Sequence, residues 1–171
     1  MKFNTKLIHG NLKTDETGAT NTPLHLSNAF AHNTAEKLEG IMKGTSMGYA
    51  YTRISNPTVT SFERRIASIE GGLAATAAAS GMSAIYLAIM NVVVSGDEII
   101  ASSGLFGGTY ALVKNLKDYG INVKFLENLD EESLENVISE NTKIVFGETL
   151  GNPKLDEIGR ASCRERVFAG C

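Results

Sequence analysis

The chain has 171 residues, is 43% hydrophobic and 20% charged, and carries a formal net charge of −3. That suits one globular domain with a buried core, and the mixed charge excludes a strongly basic nucleic-acid binder. No apolar run approaches the ~20 residues of a membrane span, and Met1 to Leu12 holds no apolar signal core, so a cytoplasmic protein with neither membrane nor nucleic-acid partner is expected.

In chain order, residues 1 to about 47 read as an arm. It holds all three histidines, His9, His25 and His32, without metal-ligand spacing, so no metal is expected. Thr34 caps a predicted short helix from Ala35 to about Met42, ended by Lys43-Gly44. Gly44 to Asn56 is a loop rich in Tyr49, Tyr51 and Arg53, residue types that often carry function when a rigid scaffold presents them. Pro57 opens the next helix, with Ser55 or Asn56 as cap. Val59, Phe62, Ile66 and Ile69 are expected to form its buried face and Glu63, Arg64 and Arg65 to face water, until Gly71-Gly72 stops it.

The run Leu73 to Ala78 reads as a buried strand, then Ser80-Gly81 as a tight turn. From Met82, apolar residues at Ile85, Ala88, Ile89 and Val92 recur at helical spacing. Such a turn leaves free backbone N–H groups at a helix N-terminus, where the dipole also favours an anion. Further predicted elements follow: a strand at 98–101, a helix after Gly107-Gly108 with Tyr110, Leu112, Val113 and Leu116 inward, and a strand at 121–126. A helix capped by Asp130 then buries Leu134, Val137 and Ile138, and a last strand spans 143–146. Alternating strands and helices argue for a mainly parallel sheet whose ligand lies at the carboxyl strand ends. The loops Ala79 to Gly81, Ser103 to Gly108 and Glu148 to Asn152 would then open on one edge.

From Glu157 the texture changes. Periodicity is lost, and the only cysteines, Cys163 and Cys171, appear here. The run Glu157 to Val167 resembles translated sequencing adapter, so 157–171 is expected to be a non-native tail. A disulfide framework is not expected.

Three segments together resemble the Cys/Met-metabolism family of pyridoxal-phosphate enzymes: Tyr49-Ala50-Tyr51-Thr52-Arg53-Ile54-Ser55-Asn56-Pro57-Thr58, Ser80-Gly81-Met82-Ser83-Ala84, and Gly147-Glu148-Thr149-Leu150-Gly151-Asn152-Pro153. Within it, Thr22 to Phe30 and Leu105 to Tyr110 are most similar to the O-acetylhomoserine sulfhydrylase branch. The resemblance covers about residues 3 to 156 and implies an α/β fold: the large domain of a fold-type-I, aspartate aminotransferase-like pyridoxal-phosphate enzyme, mostly parallel and truncated. Residues 1–56 would be the arm and a loop lent to a partner subunit, and 57–156 the first half of the cofactor domain. The resemblance also implies roles. The amides of Gly81 and Met82 hold the cofactor phosphate, with Ser80 in the same turn. Tyr51 and Arg53 reach the phosphate of a neighbouring subunit, and Tyr51 assists catalysis. Phe106 stacks on the pyridine ring, where many relatives have tyrosine; Asn152 bonds the ring hydroxyl, and Glu148 lies near the ring. The Schiff-base lysine and the aspartate on the pyridinium nitrogen have no counterpart here, since both belong downstream of Asp156 in the family pattern. The implied reaction is γ-replacement, O-acetylhomoserine plus sulfide giving homocysteine and acetate. The small-molecule substrate is an amino acid, and the full-length enzyme is a homo-oligomer, a dimer of dimers. Cystathionine γ-synthase or γ-lyase is the runner-up. The 171-residue chain alone is expected to be inactive, or at most to bind phosphate.

Overall fold

A computed structural model describes residues 2–10, 17–153 and 155. The proposed tail and its two cysteines therefore lie outside the described residues. The chain divides into two compact units, on either side of the Ala77–Ala78 bond.

In the first unit, α1 (Phe3–His9) lies against α3 (Pro57–Glu70), with α2 (Ala35–Met42) between them in sequence. The sequence pattern names no element at the start of the arm, so α1 is an addition. Thr34 caps α2 through its side chain, which accepts from Lys37 N, and Gly44 leaves the helix with a φ of +72°. For α3 the cap is Asn56, whose side chain accepts from Thr58 N, and Gly71 ends it in the left-handed conformation. The expected apolar face of α3 is not buried. Val59, Phe62 and Ile66 are exposed, and Ala67 is the residue of α3 that is buried.

The expected strand at 73–78 does not form either. Leu73 is fully exposed, and no ladder bonds join this stretch to another strand among the described residues. An extended segment becomes a strand only when a neighbour takes up its backbone groups. Here one amide, Ala77 N–H, goes instead to Glu63 Oε1 at 2.9 Å. Glu63 is thus half-buried rather than turned to water.

The second unit is built on a three-stranded parallel sheet in the order β2 (Asn122–Leu126), β1 (Glu98–Ser102), β3 (Thr142–Phe146). All five residues of the central β1 are buried, as a strand covered on both faces should be. Around it lie α4 (Gly81–Met90), α5 (Gly107–Asn115), a short 3₁₀ turn over Leu116–Tyr119, and α6 (Glu131–Glu135). Ile89 and Val93, Ile99 and Ala101, Leu105, Val113 and Leu116, and Ile121, Ile144 and Phe146 make one core. Tyr110 of α5 stacks on Phe125 of β2 with ring centroids 4.3 Å apart. Gly120 turns the chain into β2 at a φ of +78°. The helix after Asp130 is shorter than its pattern predicted, and Ile138 lies beyond it, 48% exposed.

At the amino end of the sheet one buried carboxylate joins all three strands. Glu98 opens β1 and is only 6% exposed. Its Oε2 meets Lys124 Nζ of β2 at 2.7 Å. Its Oε1 accepts from Thr142 Oγ1 of β3 at 2.6 Å and from Ser139 Oγ at 3.1 Å. A register shift beside Glu98 pairs it with Thr142 and pairs Ile99 with Ile144, passing over Lys143.

Candidate functional site

The carboxyl end of the sheet is where a ligand is expected, and each of its loops is shaped by local chemistry. After β1, Ser102 Oγ accepts from Gly104 N, and Ser103 donates through both its amide and its hydroxyl to Leu126 O at the end of β2. This fixes the turn that leads to Phe106. Phe106 is the cap residue of α5 and offers no side-chain acceptor to its own helix. Its ring is half exposed and lies over Gly108. A Cβ placed on Gly108 would fall 2.8 Å from Phe106 Cε1 and 3.7 Å from Met82 Sδ. After β3, Glu148 reaches back, and its Oε2 accepts the Phe106 backbone N–H at 2.9 Å.

Met82 belongs to the first turn of α4. Ser80 caps that helix, its Oγ accepting from Ser83 N at 3.1 Å. The amides of Gly81 and Met82 come first in the helix and have no acceptor within it. Gly81 is exposed, and a Cβ built there would meet nothing within 4 Å. The Cβ direction at Gly81 therefore faces open space.

The structure thus brings the α4 N-terminus, the Phe106 turn and Glu148 together, although among the described residues no strand leads into the first of these. The parallel pairing of β1 with β3 accounts for the other two. Asn152 is exposed in the turn after β3. The expected role for Glu148, near a cofactor ring, is joined by an observed one, since its carboxylate ties down the Phe106 turn.

In the first unit, Tyr51 and Arg53 stand side by side on an exposed loop. The Arg53 guanidinium carbon lies 5.4 Å from the Tyr51 ring centroid. A short antiparallel bridge joins Tyr51 to Ala29, with Phe30 N bonded to Ala50 O and Thr52 N to Asn28 O. The His32 ring donates from Nε2 to Tyr49 O at 2.7 Å, and Phe30 and Tyr49 are in ring contact. His32 is therefore a loop anchor. No group of three or more His, Cys, Asp or Glu that could hold a metal occurs among the described residues. Nor, among them, is any helix long and apolar enough to cross a membrane. The residue that sequence reasoning undervalued is Asn56. It is 3% exposed, and its amide joins arm, loop and helix. A polar side chain before Pro57 signalled a cap, but not the partners of its –NH₂ group.

A parallel α/β sheet with an open helix N-terminus, an aromatic shelf and an acidic anchor at its carboxyl edge describes a phosphate-cofactor scaffold of the fold-type-I kind. Residues 4–165 match the model of the Cys/Met metabolism PLP-dependent enzymes, and the chain belongs to that family. It is 42% identical over 157 residues to O-acetyl-L-homoserine sulfhydrylase of Corynebacterium glutamicum, covering 90% of this chain and 36% of that protein. It is also 39% identical over 154 residues to L-methionine gamma-lyase of Porphyromonas gingivalis, covering 90% and 39%. Among solved structures it superposes at a TM-score of 0.85 and 32% identity on a Campylobacter jejuni protein assigned as an O-acetylhomoserine (thiol)-lyase. That match covers 92% of this chain and 39% of the other, which contains N'-pyridoxyl-lysine-5'-monophosphate. The chain thus spans little more than a third of these relatives.

Pyridoxal phosphate is the cofactor of this family, and the residues present suit its two ends. Amides at a helix start suit a dianion, and the half-exposed Phe106 face suits a flat ring.

Proposed function

We propose that the intact protein carrying this chain catalyses a γ-replacement in which O-acetylhomoserine and sulfide give homocysteine and acetate. The observation that carries the cofactor half of this reading is the open N-terminus of α4 beside Phe106 and Glu148. The likeness to O-acetyl-L-homoserine sulfhydrylase supports the substrate half.

When bound, the cofactor supplies an electron sink for carbanions of the amino-acid substrate. The chain's own residues bind and orient. The amides of Gly81 and Met82 and the Ser80 turn would take the phosphate, held by orphan donors and the helix dipole acting together. Phe106 would cover one face of the ring, and Glu148 would hold that aromatic in place through its amide. Asn152 would bond the ring hydroxyl. Tyr51 and Arg53 would be lent to the neighbouring subunit of a homo-oligomer. There the planar guanidinium meets phosphate oxygens bidentately, and the Tyr51 phenol holds a proton at its oxygen. The lysine that binds the cofactor would come from chain beyond residue 156.

The likeness to L-methionine gamma-lyase favours a second reading, γ-elimination on the same scaffold. Assay of the intact enzyme decides between them. Acetate and homocysteine formed only when sulfide accompanies O-acetylhomoserine would support replacement. Release of a 2-oxo acid and ammonia from L-methionine, without sulfide-dependent turnover, would overturn it.

A further inference from the structure

We infer that Asn56 is a positioning residue that sets how Tyr51 and Arg53 are presented. This rests on the proposed role of that pair toward a phosphate.

The argument begins with an accounting of one buried amide. Asn56 Oδ1 accepts from Thr58 N at 2.8 Å, which caps α3. Its Nδ2 donates to His25 O at 3.0 Å and to Thr52 Oγ1 at 3.0 Å. The orientation of the amide follows from its partners. A backbone N–H can only donate and a carbonyl can only accept, so oxygen must face Thr58 and nitrogen must face His25. A cap needs only the oxygen, and Ser or Asp would supply one. The nitrogen is surplus to capping, and both its bonds lead elsewhere.

They lead to the segments that hold the loop. Thr52 lies between Tyr51 and Arg53 in sequence. Its hydroxyl donates to Ser27 O at 2.6 Å, while its amide donates to Asn28 O at 2.9 Å. The hydroxyl therefore spends its proton on the arm and receives one from Asn56. His25, the other Asn56 partner, is itself fixed, since its amide donates to Thr58 Oγ1 at 2.9 Å. Arm, loop and helix start thus share one buried side chain, while both neighbours of Thr52 remain exposed and in cation–π contact with each other. Such a pair on an otherwise free loop would sample many orientations. Tying the residue between them limits that freedom before a ligand arrives, which lowers the ordering cost of binding.

The test uses the intact enzyme loaded with pyridoxal phosphate. Asn56→Asp keeps the capping oxygen but sets a second oxygen against the His25 carbonyl and removes both donors. Thr52→Val removes the hydroxyl from the other side at nearly constant volume. Each is expected to weaken cofactor affinity about tenfold, and the double variant no further than either alone, because both cut one tether. The melting temperature of the cofactor-free protein should fall in Asn56→Asp, whose buried carboxylate faces a carbonyl, and in Asn56→Ala, which loses the cap, but stay closest to wild type in Thr52→Val, which keeps the cap and lies at an exposed position. Wild-type affinity in Asn56→Asp, with loss only in Asn56→Ala, would overturn the inference and leave Asn56 a helix cap. Arg53→Ala separates the two levels. If it leaves affinity unchanged, the phosphate reading of the loop is overturned and this inference with it. If it weakens binding while Asn56→Asp and Thr52→Val do not, positioning alone is overturned.

Discussion

Glu148 and Phe106 lie 42 residues apart in sequence, yet Glu148 Oε2 accepts the Phe106 amide at 2.9 Å. The bond does for α5 what a side-chain cap does for an ordinary helix, with the acceptor supplied from the end of a neighbouring strand. It also couples two loops that would otherwise move independently at the mouth of the site. Hydrogen bonds to charged groups contribute about 1.5–3 kcal/mol, and partial exposure places this one at the low end. Glu148→Ala is therefore expected to destabilise the fold by about 1.5 kcal/mol in urea unfolding. In the intact enzyme it should also broaden and shift the absorbance of bound cofactor as the Phe106 ring loses its fixed place. Glu148→Gln, which keeps an acceptor, should recover most of both.

Two glycines near this mouth are expected to behave in opposite ways. At Gly81 an added methyl meets nothing, and alanine is the better helix former by at most about 1 kcal/mol. Gly81→Ala should therefore leave stability unchanged or slightly higher. It should still weaken cofactor binding about tenfold, since the methyl stands where the phosphate is proposed to approach. Gly108→Ala would press on Phe106 Cε1 at 2.8 Å. Because that ring is half exposed it can swing away, so the protein should fold and the spectrum of bound cofactor should change. Equal cofactor affinity in Gly81→Ala and wild type would remove the phosphate from this helix start.

How much of this was legible beforehand depends on what each residue answers to. Local signals were readable. Thr34 and Asp130 were named as caps and cap through their side chains; of the two candidates before Pro57 it is Asn56 that caps, and Ser80, read only as part of a tight turn, caps α4 as well. The three strands of the sheet were placed to within a residue or so, because their apolar runs are short and bounded by turns. Readings that depended on a partner failed. Leu73 to Ala78 has the composition of a strand, and Val59, Phe62 and Ile66 have the spacing of a buried face. Burial is a property of two surfaces, and periodicity describes only one. The Glu148–Phe106 bond could not be foreseen from spacing either, since it follows from β1 and β3 being neighbours, which the order of elements does not settle.

No lysine of the chain is expected to fill the family's cofactor-binding position. When the 171-residue chain is mixed with pyridoxal phosphate and reduced with borohydride, peptide mapping is expected to show no dominant lysine adduct. One lysine labelled stoichiometrically within residues 1–156 would show that a cofactor-binding lysine had been overlooked.

Glu98 gives the clearest dependence on pH. Burial by itself would raise its carboxyl value. The donors Lys124, Thr142 and Ser139 outweigh burial, aided by the charge on Lys124, and hold it below the ordinary 4.5. A group whose folded value is depressed contributes stability that is complete above its unfolded value and is lost as pH falls through the folded one. The loss should therefore begin near pH 4.5 and continue downward. In Glu98→Gln that part of the slope should flatten, and stability at neutral pH should fall by about 1–3 kcal/mol as charge-assisted bonds between strands are replaced by weaker ones. Because Lys124 is partly exposed, salt should screen part of this contribution. Urea unfolding at several pH values, with and without added salt, measures both effects. An unchanged slope below pH 4.5 in Glu98→Gln would mean that carboxylates elsewhere govern the acid response, and that this one merely fills its place between the strands.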